Sequence, residues 1–136
     1  MVNENCIFCK IANGEIPSRT LYEDSDFRAI LDLGPATKGH CLILPKNHAA
    51  NLFELPTEDA QKILVVARNL AAVMKEKLAF DGMNLVQNNG EAAGQTVNHF
   101  HLHMIPRYAG DGQNINWVPG APSAEELDAV RKEIVG

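Results

Sequence analysis

Between His99 and Ile105 the chain reads His-Phe-His-Leu-His-Met-Ile, polar and apolar residues alternating as far as Met104. Side chains of a β-strand point alternately to its two faces. The period therefore predicts a strand over residues 99–105, with three imidazoles on one face and Phe100, Leu102 and Met104 turned to a core. A single histidine in such a strand reads as a satisfied structural residue. Three in register are harder to explain structurally, because each buried imidazole needs hydrogen-bond partners while the rings crowd one another.

Around this segment the pattern predicts a mostly antiparallel sheet. Residues 18–23 and 27–31 read as two strands joined as a hairpin across Asp24-Ser25-Asp26, and a Gly/Pro-containing loop over residues 34–39 leads to a third strand, residues 40–44, ended by Pro45. Residues 83–87 are a fourth strand before the triad strand. One long helix is predicted over residues 57–77, with Thr57 as N-cap, Glu58 and Asp59 in its first turn and Lys75 and Lys77 in its last. Its apolar stripe is Ala60, Ile63, Leu64, Ala67, Leu70, Ala71, Met74 and Leu78. A short helix or turn lies near residues 6–13, and Ser123 with Glu126 forms a capping-box signature for a last helix bearing Leu127, Val130 and Ile134. The sum is an α+β fold, with about five antiparallel strands, one long helix and short terminal helices.

Composition fits this. With 136 residues, 46% hydrophobic and 21% charged, the chain has the size and usage of one globular domain, and no repeat or linker divides residues 1–136. Twelve Lys and Arg against 17 Asp and Glu give a net charge of -5, which argues against nucleic acid polymers as partners and leaves room for a compact anion pocket. There is no apolar run of about 18 residues, and the N-terminus lacks the charged and hydrophobic regions of an export signal, so a cytoplasmic location away from membranes is expected. Three cysteines, Cys6, Cys9 and Cys41, argue against a disulfide framework and toward thiols or a metal site.

Two chemistries suit a face of three imidazoles. One is a metal site with an open position for water, as in a metal-dependent hydrolase. The other uses a neutral imidazole as a nucleophile toward phosphorus, its neighbours setting the tautomer and donating to the phosphoryl oxygens. Spacing alone does not choose. The loop over residues 88–96 adds glycines, carboxamides and a hydroxyl, groups that cradle an anion.

His99-x-His101-x-His103 followed by apolar residues resembles the signature of the histidine triad (HIT) superfamily. Asn88 and Gly94-Gln95-Thr96 are similar to its extended active-site pattern. The opening Cys6-Ile-Phe-Cys9-Lys10-Ile11 and the segment Gly39-His40-x-Leu-Ile-x-Pro45-Lys46-x-His48 resemble its small microbial members. The resemblance covers about residues 6–108 and leaves 109–136 as a C-terminal tail. It implies hydrolysis or transfer at the α-phosphate of a nucleoside phosphoramidate or dinucleoside polyphosphate, with no catalytic metal. His101 would form a nucleotidyl-histidine intermediate, the His99 carbonyl would hold its other nitrogen, His103 would donate to a phosphate oxygen, and Gln95, Thr96 and Asn88 would place the phosphate and leaving group. Asp32 would accept the ribose hydroxyls. Ile7, Phe8, Ile11, Ile30, Leu33 and Leu42 would wall the base, a purine by preference, with His40 near the pocket and bonded to another imidazole.

The resemblance also implies a structural zinc held by Cys6, Cys9, His48 and His99, with Cys41 left as a buried strand residue, and a two-fold homodimer that extends the sheet across its interface. Trp117, in the divergent tail, is read as an interface anchor. A metallohydrolase with the triad as ligands, and a nucleotide-binding regulator with weak catalysis, are the competing readings.

Overall fold

The computed structural model describes residues 2–136. Its elements run α1 (Ile7–Ala12), β1 (Thr20–Glu23), β2 (Phe27–Leu31), β3 (Cys41–Pro45), α2 (Thr57–Leu78), β4 (Gly82–Val86), β5 (Leu102–Arg107) and α3 (Ala124–Val135), with single 3-10 turns at Leu52–Glu54 and Glu91–Ala93. The five strands form one antiparallel sheet in the order β1-β2-β3-β5-β4. This is the α+β arrangement read from the sequence. No helix is long and apolar enough to cross a membrane among the described residues.

The sheet buries both faces. On one, Phe27, Ala29, Cys41, Ile43, Phe100, Leu102 and Met104 pack against Ile63, Val66, Ala67, Leu70 and Met74 of α2. On the other, Ile30, Leu42 and Leu44 pack with Ala12, Phe8 and Ile11 from α1 and its turn. Leu42 lies opposite His103 in the β3–β5 register, so the triad shares its face with α1 rather than α2. Cys41, in the α2-facing core, has its thiol pushed up to about 12 by burial and approaches the Met74 sulfur at 3.9 Å.

Four local expectations are corrected. Regular β5 begins at Leu102, so His99, Phe100 and His101 lie outside it. There the backbone leaves the ladder for other partners, Phe100 N–H donating to the Ala49 carbonyl at 2.7 Å, although the alternation of faces persists. Pro45 continues β3, opposite Phe27. Pairing toward β5 has already stopped at Ile43, so the missing N–H costs no bond on that side. The cap of α2 is Pro56 rather than Thr57, with no side-chain bond. Finally, Ala60 and Leu64 are exposed while Val66 is buried. The run Ile63-Leu64-Val65-Val66-Ala67 is apolar all round the helix, so periodicity could not locate the buried face to within one residue. The capping box of α3 forms as expected, Ser123 Oγ accepting from Glu126 N–H.

Candidate functional site

Two imidazoles of the triad, His99 and His101, are oriented by backbone carbonyls. His101 Nδ1 donates to the His99 carbonyl at 2.7 Å, which leaves Nε2 with its lone pair. The ring is buried, and Phe8 meets it edge-on with centroids 5.0 Å apart. His99 turns away from the other two. Its Nε2 donates to the Pro45 carbonyl at 2.8 Å, and Nδ1 points its lone pair at the thiols of α1. Burial lowers His99 to about 4, so it is neutral near pH 7.

His103 is set by a relay of hydrogen bonds that starts in the loop before β3. Ala36 N–H donates to His40 Nδ1 at 2.9 Å, which puts the proton of neutral His40 on Nε2. That nitrogen lies 2.9 Å from His103 Nδ1 and donates to it, so His103 carries its own proton on Nε2. Burial lowers His103 to about 4, with the neighbouring His101 and His40 rings adding to the shift. Burial also lowers His40, and the Asp32 carboxylate opposes it from 3.5 Å. The site therefore presents one nitrogen lone pair, on His101, beside a ring whose free nitrogen is a donor, with the two ring centroids 5.0 Å apart.

All six residues expected to wall a base, Ile7, Phe8, Ile11, Ile30, Leu33 and Leu42, line one cavity of about 250 Å³ together with Asp32. Pro17, Ser18, Arg19 and Leu31 complete it. These four lie in a connecting segment and a strand end, with no pattern in the sequence to mark them as cavity walls. Asp32 Oδ1 accepts Gly34 N–H at 2.8 Å, which pins the carboxylate at the end of β2.

The loop after β4 is knitted by its own carboxamides. Gln95 Nε2 donates to the Ala50 and Val97 carbonyls at 2.6 and 2.9 Å, and its Oε1 accepts Gly90 N–H. Both Gln95 amide hydrogens are thus on backbone, so this side chain shapes the loop. Asn88 is half-buried and Thr96 exposed. Gly94 adopts φ +92°, a backbone conformation suited to glycine, and a Cβ there would stand 3.8 Å from Asn88 Nδ2.

Cys6, Cys9, His48 and His99 converge with all four ligand atoms within 4.8 Å of one another. Cys6 Sγ lies 3.3 Å from His99 Nδ1, and Cys9 Sγ lies 3.4 Å from His99 Nδ1 and 3.3 Å from His48 Nδ1. Ligand atoms around a tetrahedral zinc, with bonds of ~2.3 Å to sulfur and ~2.0 Å to nitrogen, stand about 3.5 Å apart, so this donor set fits such an ion. Backbone N–H groups of Asn3 and Cys9 point at the Cys9 and Cys6 sulfurs, and the Pro45 carbonyl fixes the His99 tautomer that a metal requires. Among the described residues, the three triad imidazoles do not gather as one set of metal ligands. His99 belongs to the thiol cluster, while His103 groups with His40 and Asp32.

The HIT domain family matches residues 13–110. The chain is 47% identical to an uncharacterized HIT-like protein of Methanocaldococcus jannaschii, covering 96% of this chain and 99% of that one. It is 40% identical to adenosine 5'-monophosphoramidase of Saccharomyces cerevisiae over 96% of this chain and 80% of the relative. A crystal structure of a zinc-bound histidine triad family protein from Mycobacterium smegmatis superposes with a TM-score of 0.76 at 38% identity, covering 95% and 94% of the two chains. A family match over residues 13–110, with a relative 47% identical across nearly the whole of both chains, means that this protein belongs to the histidine triad (HIT) family.

Proposed function

We propose that the protein hydrolyses a nucleotide at its α-phosphate, with a nucleoside 5'-phosphoramidate as the favoured substrate class and a dinucleoside polyphosphate as the alternative. The carrying observation is the division of labour between two neighbouring rings: His101 keeps a lone pair because the His99 carbonyl takes its proton, and His103 keeps a donor because His40 fills its other nitrogen. A relative with adenosine 5'-monophosphoramidase activity at 40% identity supports the same reading.

In this mechanism the nucleoside occupies the cavity between α1 and β2, a purine base against Phe8, Ile30 and Leu42 and the ribose hydroxyls on Asp32. The Nε2–phosphorus bond to His101 forms as the bond to the leaving group breaks, and the leaving group takes up a proton from solvent. Water then attacks phosphorus, one proton returns to solvent, and Nε2 regains its lone pair. His103 Nε2–H donates to a non-bridging oxygen throughout, with Asn88 and Thr96 at the phosphate and Gln95 holding their loop. The cluster of Cys6, Cys9, His48 and His99 would hold a structural zinc, whose chemistry is to lock the His99 backbone against α1. Three free cysteines and the absence of a long apolar helix support a cytoplasmic protein. Exposed Leu85 on the edge strand β4, with Leu64 on α2, supports a homodimer that continues the sheet.

The test is turnover of adenosine 5'-phosphoramidate by wild type and His101→Ala with a chelator for free metal present. Wild type should turn over and form an adenylylated His101 on rapid quench in alkaline denaturant, which preserves the nitrogen–phosphorus bond, and the folded variant should do neither. Unchanged activity in the variant would refute the mechanism. Loss of wild-type activity on stripping metal, restored by metal in excess of one ion per chain, would favour a metallohydrolase.

A further inference from the structure

One proton in the site has two acceptors within reach. His40 Nε2 lies 2.9 Å from His103 Nδ1 and 3.5 Å from an oxygen of Asp32, so its single hydrogen can serve either group. A carboxylate is the stronger acceptor, and a small rotation of the ring would hand the hydrogen to it. Donation to His103 therefore depends on what holds His40 from the other side of the ring. There the Ala36 N–H donates to Nδ1 at 2.9 Å. Ala36 belongs to a loop without regular structure between β2 and β3, so its place must be fixed from elsewhere.

The end of β5 and the turn after it supply that hold. Three successive loop residues are tied to them: Gln113 Nε2 donates to the Ala36 carbonyl at 2.8 Å, Thr37 Oγ1 to the Pro106 carbonyl, and Tyr108 Oη to the Lys38 carbonyl at 2.8 Å. The turn is closed on itself by Asp111. Its two oxygens take Arg107 through Nε at 2.9 Å and Nη2 at 3.0 Å, and they also accept the Tyr108 and Gln113 N–H groups at 3.0 Å each. Arg107 Nη2 donates in addition to the Gln113 carbonyl at 2.7 Å. A bidentate ion pair thus fixes a turn that carries two side-chain donors, Tyr108 and Gln113, to the loop.

We propose that Tyr108 and Gln113 are positioning residues for the site's imidazoles: by clasping the Lys38 and Ala36 carbonyls they keep the Ala36 N–H on His40 Nδ1, and the His40 hydrogen on His103 rather than on Asp32. Released from the clasp, His40 turns to Asp32, His103 Nδ1 loses its donor, and the proton of His103 spreads over both of its nitrogens. The effect on turnover rests on the hydrolase reading above, whereas the effect on the imidazoles does not. Tyr108→Phe and Gln113→Met each delete one donor and leave the Asp111 bonds of the turn in place, so the fold is kept.

The full chain carrying Tyr108→Phe/Gln113→Met, labelled with nitrogen-15 at histidine and read by imidazole proton–nitrogen correlation near neutral pH, tests this. In wild type His103 should show one tautomer, with its proton on Nε2. In the variant the two His103 nitrogen signals should move toward each other as the tautomers exchange, and unchanged His40 and His103 signals would overturn the proposal. With adenosine 5'-phosphoramidate, kcat of the variant should fall about tenfold. Adding the same two substitutions to His40→Phe should cost less than about twofold further, because their path runs through His40. An unchanged kcat, or an equal loss in both backgrounds, would overturn the proposal as well. Absence of turnover in wild type would refute the hydrolase reading alone, and the nitrogen signals would then decide the clasp.

Discussion

Acid should attack this protein through its relay of imidazoles, and His103 allows the size of the effect to be worked out. In the unfolded chain a histidine titrates near 6.5, whereas folding lowers His103 to about 4. Below pH 6.5 the unfolded state binds the proton first. The stabilisation from keeping His103 neutral is therefore complete above 6.5 and drains away as pH falls toward 4. Between pH 7.5 and 4.5 a shift of this size corresponds to ~2.5 kcal/mol, and solvent screening of a half-buried ring trims it to roughly 1–2 kcal/mol. The perturbation is His103→Gln, which keeps an acceptor for His40 Nε2–H and cannot titrate. Urea unfolding of both proteins at the two pH values, at matched protein and zinc concentration, isolates the contribution of His103 together with its coupling to the neighbouring His101 and His40 rings. Far-ultraviolet circular dichroism is the suitable probe, since Trp117 is exposed and reports little of the core. Wild type should lose roughly 1–2 kcal/mol more than the variant on acidification. Equal losses, to within about 0.5 kcal/mol, would show that the fold does not hold His103 neutral.

Gly39→Ala should cost roughly 2–4 kcal/mol in chemical unfolding. The position sits at φ +92°, and a Cβ would come within 2.5 Å of Leu78 Cδ1 and 3.3 Å of Pro106 Cγ, so backbone strain adds to overpacking next to His40. Asp32→Asn should raise KM for a ribonucleotide substrate about tenfold by weakening a charged acceptor, while a 2',3'-dideoxy analogue should bind both proteins equally; equal effects on the two would exclude the ribose contact. Elemental analysis of protein purified without added metal should give near one zinc per chain, and Cys9→Ser should lose it together with a thermal midpoint lower by several degrees. Zinc far below one equivalent in wild type would refute the cluster's assignment.

Much of the sheet was legible because its signals are local. Period-two alternation marked the triad, Asp24-Ser25-Asp26 marked the hairpin of β1 and β2, and Ser123 with Glu126 marked the start of α3. The errors arose where a residue's partner lies far along the chain. His99 and His101 look like strand residues, but Pro45 and Ala49, some fifty positions upstream, draw that segment out of the ladder. Leu64 looks like core, but the sheet meets α2 on the side of Val66. Arg19 and Ser18 carry no mark of the cavity they line.

By itself the sequence determined which chemistries were available: three imidazoles at alternate positions, two thiols three residues apart, a carboxamide-rich loop, and the family to which those motifs belong. Only the tertiary structure decided how the imidazoles divide the work. An imidazole becomes an acceptor or a donor according to what its other nitrogen touches, and those contacts are long-range: His99 with the Pro45 carbonyl, His40 with Ala36 N–H, His103 with His40. The one exception is His101, whose partner is the His99 carbonyl two residues away, a contact the family resemblance could anticipate. Spacing places three rings together, but protons are assigned by hydrogen bonds that only the folded chain completes.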